Sequence, residues 1–199
     1  MRRCCIIPAA GRSSRMGAWK PMLPWGDTTM CGAVVNTVLS AGLHPVVVAG
    51  YRADELVAAF MGRLDVTVVV NQAWELGMLG SVRAGIEALS LIAAGFDGFF
   101  VAPADMPRLP AIAFALEIEE AERHAADGKA CAVFAARAER LGHPVWIPAA
   151  FVPGLAGRDP DSRLRDYLLG HSWTSAQVDD DGIFADIDTP ETYAALNSH

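Results

Sequence analysis

The sequence predicts an α/β fold, a mostly parallel sheet with helices on both faces. Two observations predict it. Short apolar runs rich in β-branched residues recur along the chain, too short for helices and apolar enough to be covered on both sides. Between them stand longer stretches with helical spacing, and alternation of this kind builds parallel sheets. The 199 residues suit one compact unit, and no linker-like stretch, repeat or low-complexity tract divides them. Residues 1–199 are therefore expected to form a single domain.

The elements follow in order. Cys4 to Pro8 reads as the first strand, and Cys31 to Ala41 as the first long helix. Pro45 to Ala49 and Val66 to Val70 read as strands around a helix from Ala53 to Arg63. Ser81 to Leu91 reads as a helix, Gly98 to Ala102 as a strand, Ile112 to Ala126 as a helix and Ala130 to Ala135 as a strand. Beyond about residue 136 the rhythm breaks, because Pro144, Pro148, Pro153 and Pro160 crowd together. A short strand, Val145 to Ile147, is expected there, then loops and a helix near Ser162 to Leu169. A last helix opens at Pro190, with Asp188 or Thr189 as its cap.

Composition excludes several classes. Hydrophobic residues are 52% and charged residues 20%, which excludes disorder as the main state. No apolar run reaches the ~18–20 residues of a membrane span, and the run after Arg2-Arg3 is too short for a signal peptide. A cytoplasmic protein without membrane contact is expected. The net charge is −7, with only Lys20 and Lys129 against 14 arginines, so no basic stripe for nucleic acid exists. An anionic ligand must then be drawn by a few placed cations. Cys4, Cys5, Cys31 and Cys131 form no CxxC pair and are expected to be buried thiols.

The loop after the first strand runs Ala9-Ala10-Gly11-Arg12-Ser13-Ser14-Arg15-Met16-Gly17-Ala18-Trp19-Lys20-Pro21. Small residues allow close approach, unpaired amides can cradle an anion, Ser13 and Ser14 add hydroxyls, and Arg15 and Lys20 add charge. It is not a phosphate loop of the GxxxxGK[ST] type, since Pro21 follows Lys20, nor GxGxxG, since position 13 is serine. The bland alternative is a polar turn with solvated cations. Asn71-Gln72-Ala73-Trp74-Glu75-Leu76-Gly77-Met78-Leu79-Gly80-Ser81 follows the third strand and opens a helix. Gly77 would allow close approach to a flat ring, with Asn71 or Ser81 either bonding to it or merely capping the helix. Asp105 follows the fourth strand and is expected at the sheet's carboxyl edge, because burying it is costly. Asp186 and Asp188, at i and i+2, point the same way if extended. These motifs all fall beyond the carboxyl ends of strands, where open α/β sheets bind ligands.

Ala9-Ala10-Gly11-x-Ser13-x-Arg15-Met16-Gly17-x-x-Lys20 resembles the signature of nucleotidyltransferases with a Rossmann-like, glycosyltransferase-A type fold. Specifically it is similar to the molybdenum cofactor cytidylyltransferases and the enzymes that make molybdopterin guanine dinucleotide. The resemblance extends to Asn71, Trp74, Gly77, Met78 and Ser81, to Asp105, to Gly142-His143-Pro144 and to Asp188, from Ile6 to Tyr193. It implies that Ala9, Ala10, Gly11, Ser13, Ser14, Arg15, Lys20, Asn71, Gly77, Met78, Ser81 and Asp105 bind a nucleotide. It also implies that Asp105 and Asp188 hold Mg²⁺, that Arg15, Lys20 and Asp105 are catalytic, and that His143 lies near the acceptor.

The implied reaction moves CMP from CTP to the phosphate of molybdopterin cofactor and releases pyrophosphate, leaving room for transient contact with a molybdoenzyme or its chaperone. Ala9-Ala10-Gly11 resembles the cytidylyl branch, where the guanylyl branch carries Ala-Gly-Gly. Met106 replaces the usual glutamine, and Arg158-Asp159-Pro160-Asp161-Ser162-Arg163 departs from the family's Gly-Asp-x-Gly-Ala-Arg loop. GTP as donor, another small phosphorylated acceptor, and a carrier that binds without transfer remain alternatives.

Overall fold

In the computed structural model, residues 3–92 and 95–197 are described, Arg15 by its backbone alone. The apolar runs pair first. Strands β1 (Cys4–Pro8), β4 (His44–Ala49), β5 (Thr67–Val70) and β6 (Gly98–Val101) lie parallel, with β1 between β4 and β6. Between β1 and β4 come a hairpin of β2 (Pro24–Trp25) and β3 (Thr28–Thr29), then helix α1 (Met30–Ser40). Helices α2 (Ala53–Ala59), α3 (Met78–Ile92) and α4 (Ala111–Ala126) complete the alternation, with α2 shorter than its sequence suggests. Then β7 (Ala132–Arg137) turns back into β8 (Arg140–Pro148), followed by α5 (Val152–Ala156), α6 (Leu164–Leu169), β9 (Trp173–Gln177) and α7 (Pro190–Leu196). The seven-stranded sheet is ordered β5-β4-β1-β6-β8-β7-β9. Only β8 runs antiparallel, to both β6 and β7.

The two faces follow from the period of two in β1. Cys5 and Ile7 join Val34, Val35, Val38, Leu56 and Phe114 on one face, from α1, α2 and α4. Cys4 and Ile6 join Leu79, Val82, Leu89, Leu155 and Leu168 on the other, from α3, α5 and α6. Gly85 lets α3 press on the sheet, since a Cβ there would lie 2.6 Å from Ile6 Cγ2. All four cysteines are buried and reduced, as expected, and burial raises the pKa of Cys31 to about 12.

Three departures from the sequence reading matter. The strand expected at Val145 to Ile147 is nine residues long and contains Gly142-His143-Pro144, which the sequence placed before it. The proline is tolerated because β7 shifts register between Phe134 and Ala136, so the ladder is already irregular opposite it. The edge strand β9 was missed because Trp-Thr-Ser-Ala-Gln carries no apolar alternation. The helix near Ser162 begins at Leu164, and Thr189, not Asp188, caps α7 by accepting from Thr192 N.

Glu117 of α4 is fully buried, and Trp146 N donates to its Oε2 at 2.8 Å. Burial pushes its carboxyl well above the ordinary 4.5, outweighing the stabilising amide bond. A raised carboxyl contributes its full stability below the ordinary pKa and loses it as pH rises through the raised value. Thermal melts from pH 5 to 9 should therefore fall with rising pH, and Glu117→Gln, neutral throughout, should flatten that component. An identical slope in the variant would mean that the folded protein carries Glu117 ionised.

Candidate active site

The loops after β1, β5 and β6 open on the same carboxyl edge of the sheet. After β1, Ala9 N still donates to Val48 O at 2.9 Å and Ala10 O accepts from Tyr51 N at 3.0 Å, so sheet bonding ends only at Gly11. Ser13 takes a left-handed conformation (φ 56°), turning the chain so that its Oγ accepts from Lys20 N at 3.1 Å. Met16 packs with Met30 and Ile187, fastening this loop to the C-terminal segment. That segment is tied in turn to the loop after β6, because Ile187 N donates to Asp105 O at 3.0 Å.

These tethers bring three charges together. Lys20, only 8% exposed, donates from Nζ to Asp105 Oδ2 at 3.0 Å and to Asp188 Oδ1 at 2.5 Å. Burial alone would lower the lysine pKa, but the bonds and charges of Asp188 and Asp105 outweigh it and raise the value. Lys20 is thus no solvated surface cation. Ser13, Ser14 and Asp188 border a small recess beside it. The Arg15 side chain lies outside the described residues.

The trio lines a cleft of about 530 Å³, together with Gly11, Arg140, His143 and Arg165. Past Gly11 the surface continues into a second recess of about 460 Å³, with Ala10, Trp74, Glu75, Gly77 and Ser81 in its walls. Met78, 61% exposed, borders both spaces. Arg12 crosses the recess rim, 2.5 Å from Glu75 and 5.0 Å above the Trp74 ring.

Several sequence expectations change here. Asn71 and Ser81 are buried and bond each other, Nδ2 to Oγ at 3.2 Å, while Asn71 Oδ1 accepts from Ala73 N. Asn71 thus shapes the turn into α3 rather than capping it. The close approach at Gly77 is made by the protein itself: a Cβ there would stand 2.7 Å from Pro160 O. Arg83 anchors the α5–α6 loop from α3, donating to Leu155 O and to Arg158 O, an anchor the sequence did not reveal. His143 stands in a strand, not a loop. Burial, with the nearby Arg165 charge, lowers its pKa to about 4, so it is neutral at physiological pH.

The sequence reading also overlooked Arg140 and Arg165 on the cleft wall. No local signal marks them, since an antiparallel strand and a short helix deliver them to this edge. Among the described residues, no group of three His, Cys, Asp or Glu side chains is arranged to hold a metal, and none of the helices is long and apolar enough to cross a membrane.

A family model described as the MobA-like NTP transferase domain matches residues 5–176. The chain belongs to that family. It is a nucleotidyltransferase of the MobA-like family, with the Rossmann-like sheet that its sequence predicts. It is 30% identical over 189 residues to the molybdenum cofactor cytidylyltransferase of Escherichia coli K12, covering 95% of this chain and 92% of that protein. It is also 28% identical over 191 residues to the nicotine blue oxidoreductase of Paenarthrobacter nicotinovorans, covering 94% and 92%. Among solved structures, a Mycobacterium tuberculosis H37Rv protein in complex with manganese superimposes with a TM-score of 0.75 at 23% identity, covering 100% of this chain and 99% of that one. Relatives at similar identity carry different activity names, so membership of the MobA-like family does not by itself define the substrate.

Proposed function

We propose that this nucleotidyltransferase moves CMP from CTP to the phosphate of molybdopterin cofactor, forming the cytosine dinucleotide cofactor and releasing pyrophosphate. The observation that carries this reading is the meeting of Lys20, Asp105 and Asp188 in a cleft that continues into a recess beside Trp74. The cytidylyltransferase named among the relatives supports the acceptor and the base. Ala10 borders the recess, and the Ala9-Ala10-Gly11 loop, which resembles the cytidylyl branch, favours CTP. On this proposal the whole chain acts as one nucleotidyltransferase domain in the cytoplasm.

A phosphomonoester with second pKa near 6 is mostly dianionic at pH 7, so its attack on the α-phosphorus needs no general base. A neutral, half-buried His143 accords with that and would line the acceptor's side of the cleft. The obstacle is repulsion, roughly 4 kcal/mol for two unit anions 4 Å apart at an effective dielectric of 20, and several such pairs meet. Positioning and charge neutralisation therefore carry the rate. Lys20 and Arg15 would stabilise charge on the departing pyrophosphate, while the amides of Ala10, Gly11 and Ser13 and the hydroxyls of Ser13 and Ser14 hold phosphate oxygens.

The carboxylates suit a hard divalent ion: two anionic oxygens converge within reach of one cation, here the Lys20 ammonium. Asp105 and Asp188 would hold Mg²⁺, which when bound would offset phosphate charge and polarise phosphoryl oxygens. The manganese complex of a protein sharing the fold supports a divalent ion of this kind.

Pyrophosphate release with Mg²⁺ and molybdopterin cofactor, comparing CTP, GTP, UTP and ATP, tests the reading. Release is expected with CTP alone. Release with GTP instead would reassign the base. Release only when a sugar or alditol phosphate replaces the pterin would reassign the acceptor. No release with any nucleotide and acceptor would favour a carrier that binds without transfer.

A further inference from the structure

We propose that Arg140 and Arg165 form a second anion subsite of the cleft, which takes the phosphomonoester of the acceptor, apart from the triphosphate of the donor. This rests on the transferase reading above and specifies how its acceptor is held. Both arginines line the same cleft as Lys20, Asp105 and Asp188, and Arg140 stands on β8, which flanks β6 on the side away from β1 and its loop. In a chain of net charge −7, a second phosphate needs local cations to approach the first.

Their other contacts leave the guanidinium charges uncommitted. Among the described residues neither arginine is ion-paired with a carboxylate, whereas Arg12, Arg52, Arg63, Arg123 and Arg137 are. Arg140 rests on the Phe184 ring, 4.0 Å from its centroid, and Phe184 borders the same cleft. Arg165 lies 5.8 Å from the Phe134 ring centroid, and its Nη1 donates to Leu141 O at 3.4 Å. Stacking restrains a guanidinium while leaving N–H donors on its edge, the geometry that suits phosphate oxygens.

Topology explains why the pair stands there. Because β8 is antiparallel to β6, its first residue, Arg140, lies at the edge where β6 ends and the Asp105 loop begins. His143, which lines the same cleft and feels the Arg165 charge, stays neutral and adds no competing charge. The division of labour is then clear: Lys20 and the first loop face the donor phosphates, and the two arginines face the attacking one.

The test uses the full-length protein saturated with α,β-methylene-CTP, which fills the donor site without turnover, and follows inorganic phosphate by ³¹P NMR. Arg140→Met and Arg165→Met should each weaken phosphate binding by roughly 10- to 100-fold, the loss of charge-assisted hydrogen bonds, while affinity for the analogue stays within about twofold. Arg140→Lys and Arg165→Lys should recover part of the loss. In turnover assays the Met variants should raise KM for molybdopterin cofactor by the same factor and leave KM for CTP in place. Phosphate binding that the Met variants leave intact, or that the wild type lacks, would overturn the subsite. Equal losses for phosphate and the analogue would overturn the division between donor and acceptor. Wild type that binds phosphate through these arginines yet releases no pyrophosphate would keep the subsite and overturn the transferase reading.

Discussion

Lys20→Met is expected to lower turnover by roughly 10²–10³ with the fold intact, the usual effect of removing one preorganised charged donor. The structure gives this variant a second, opposite signature. Lys20 pairs with both Asp105 and Asp188, so its ammonium and a divalent ion compete for the same oxygens. Removing the lysine takes its positive charge away from both carboxylates, and Mn²⁺ should bind more tightly in the absence of nucleotide. Electron paramagnetic resonance of free Mn²⁺ reads that directly, and circular dichroism checks the fold. Turnover within about threefold of wild type would remove Lys20 from the reaction. Slower turnover with unchanged Mn²⁺ binding would keep its catalytic role and refute the competition.

Asp105→Asn should cost at least roughly 10² in turnover at saturating CTP, and should weaken Mn²⁺ binding where Lys20→Met strengthens it. The variant is a clean electrostatic probe. Ile187 N is held by the backbone carbonyl of Asp105 at 3.0 Å, so the C-terminal segment keeps its anchor, and Lys20 keeps Asp188 as partner. A loss confined to KM for CTP, with turnover preserved, would recast Asp105 as a ground-state binding group.

Much of the scaffold was legible. Cys4–Pro8, His44–Ala49 and Gly98–Val101 are buried along nearly their full length, and such strands advertise themselves as continuous apolar runs. Lys20, Asp105 and Asp188 were each visible as charged residues placed just beyond or far from such runs. Illegible were the partners. Nothing local tells Asn71 that Ser81 will answer it, or tells Gly77 that Pro160 will fill its open side. Nor does a Gly-His-Pro tripeptide reveal that a register shift in the neighbouring strand lets it run inside the sheet.

The sequence by itself determined the alternation of strand and helix, the small-residue loop after β1 and the chemical types gathered at the sheet's carboxyl edge. Those depend on period and turn chemistry, which act over a few residues. Only the tertiary structure decided that Lys20 is shared by carboxylates 85 and 168 residues away, and that one antiparallel strand carries Arg140 to the same cleft. Charge pairing acts through space over a few ångströms, and strand direction is set by neighbours already in place. Neither leaves a mark in the chain's own order.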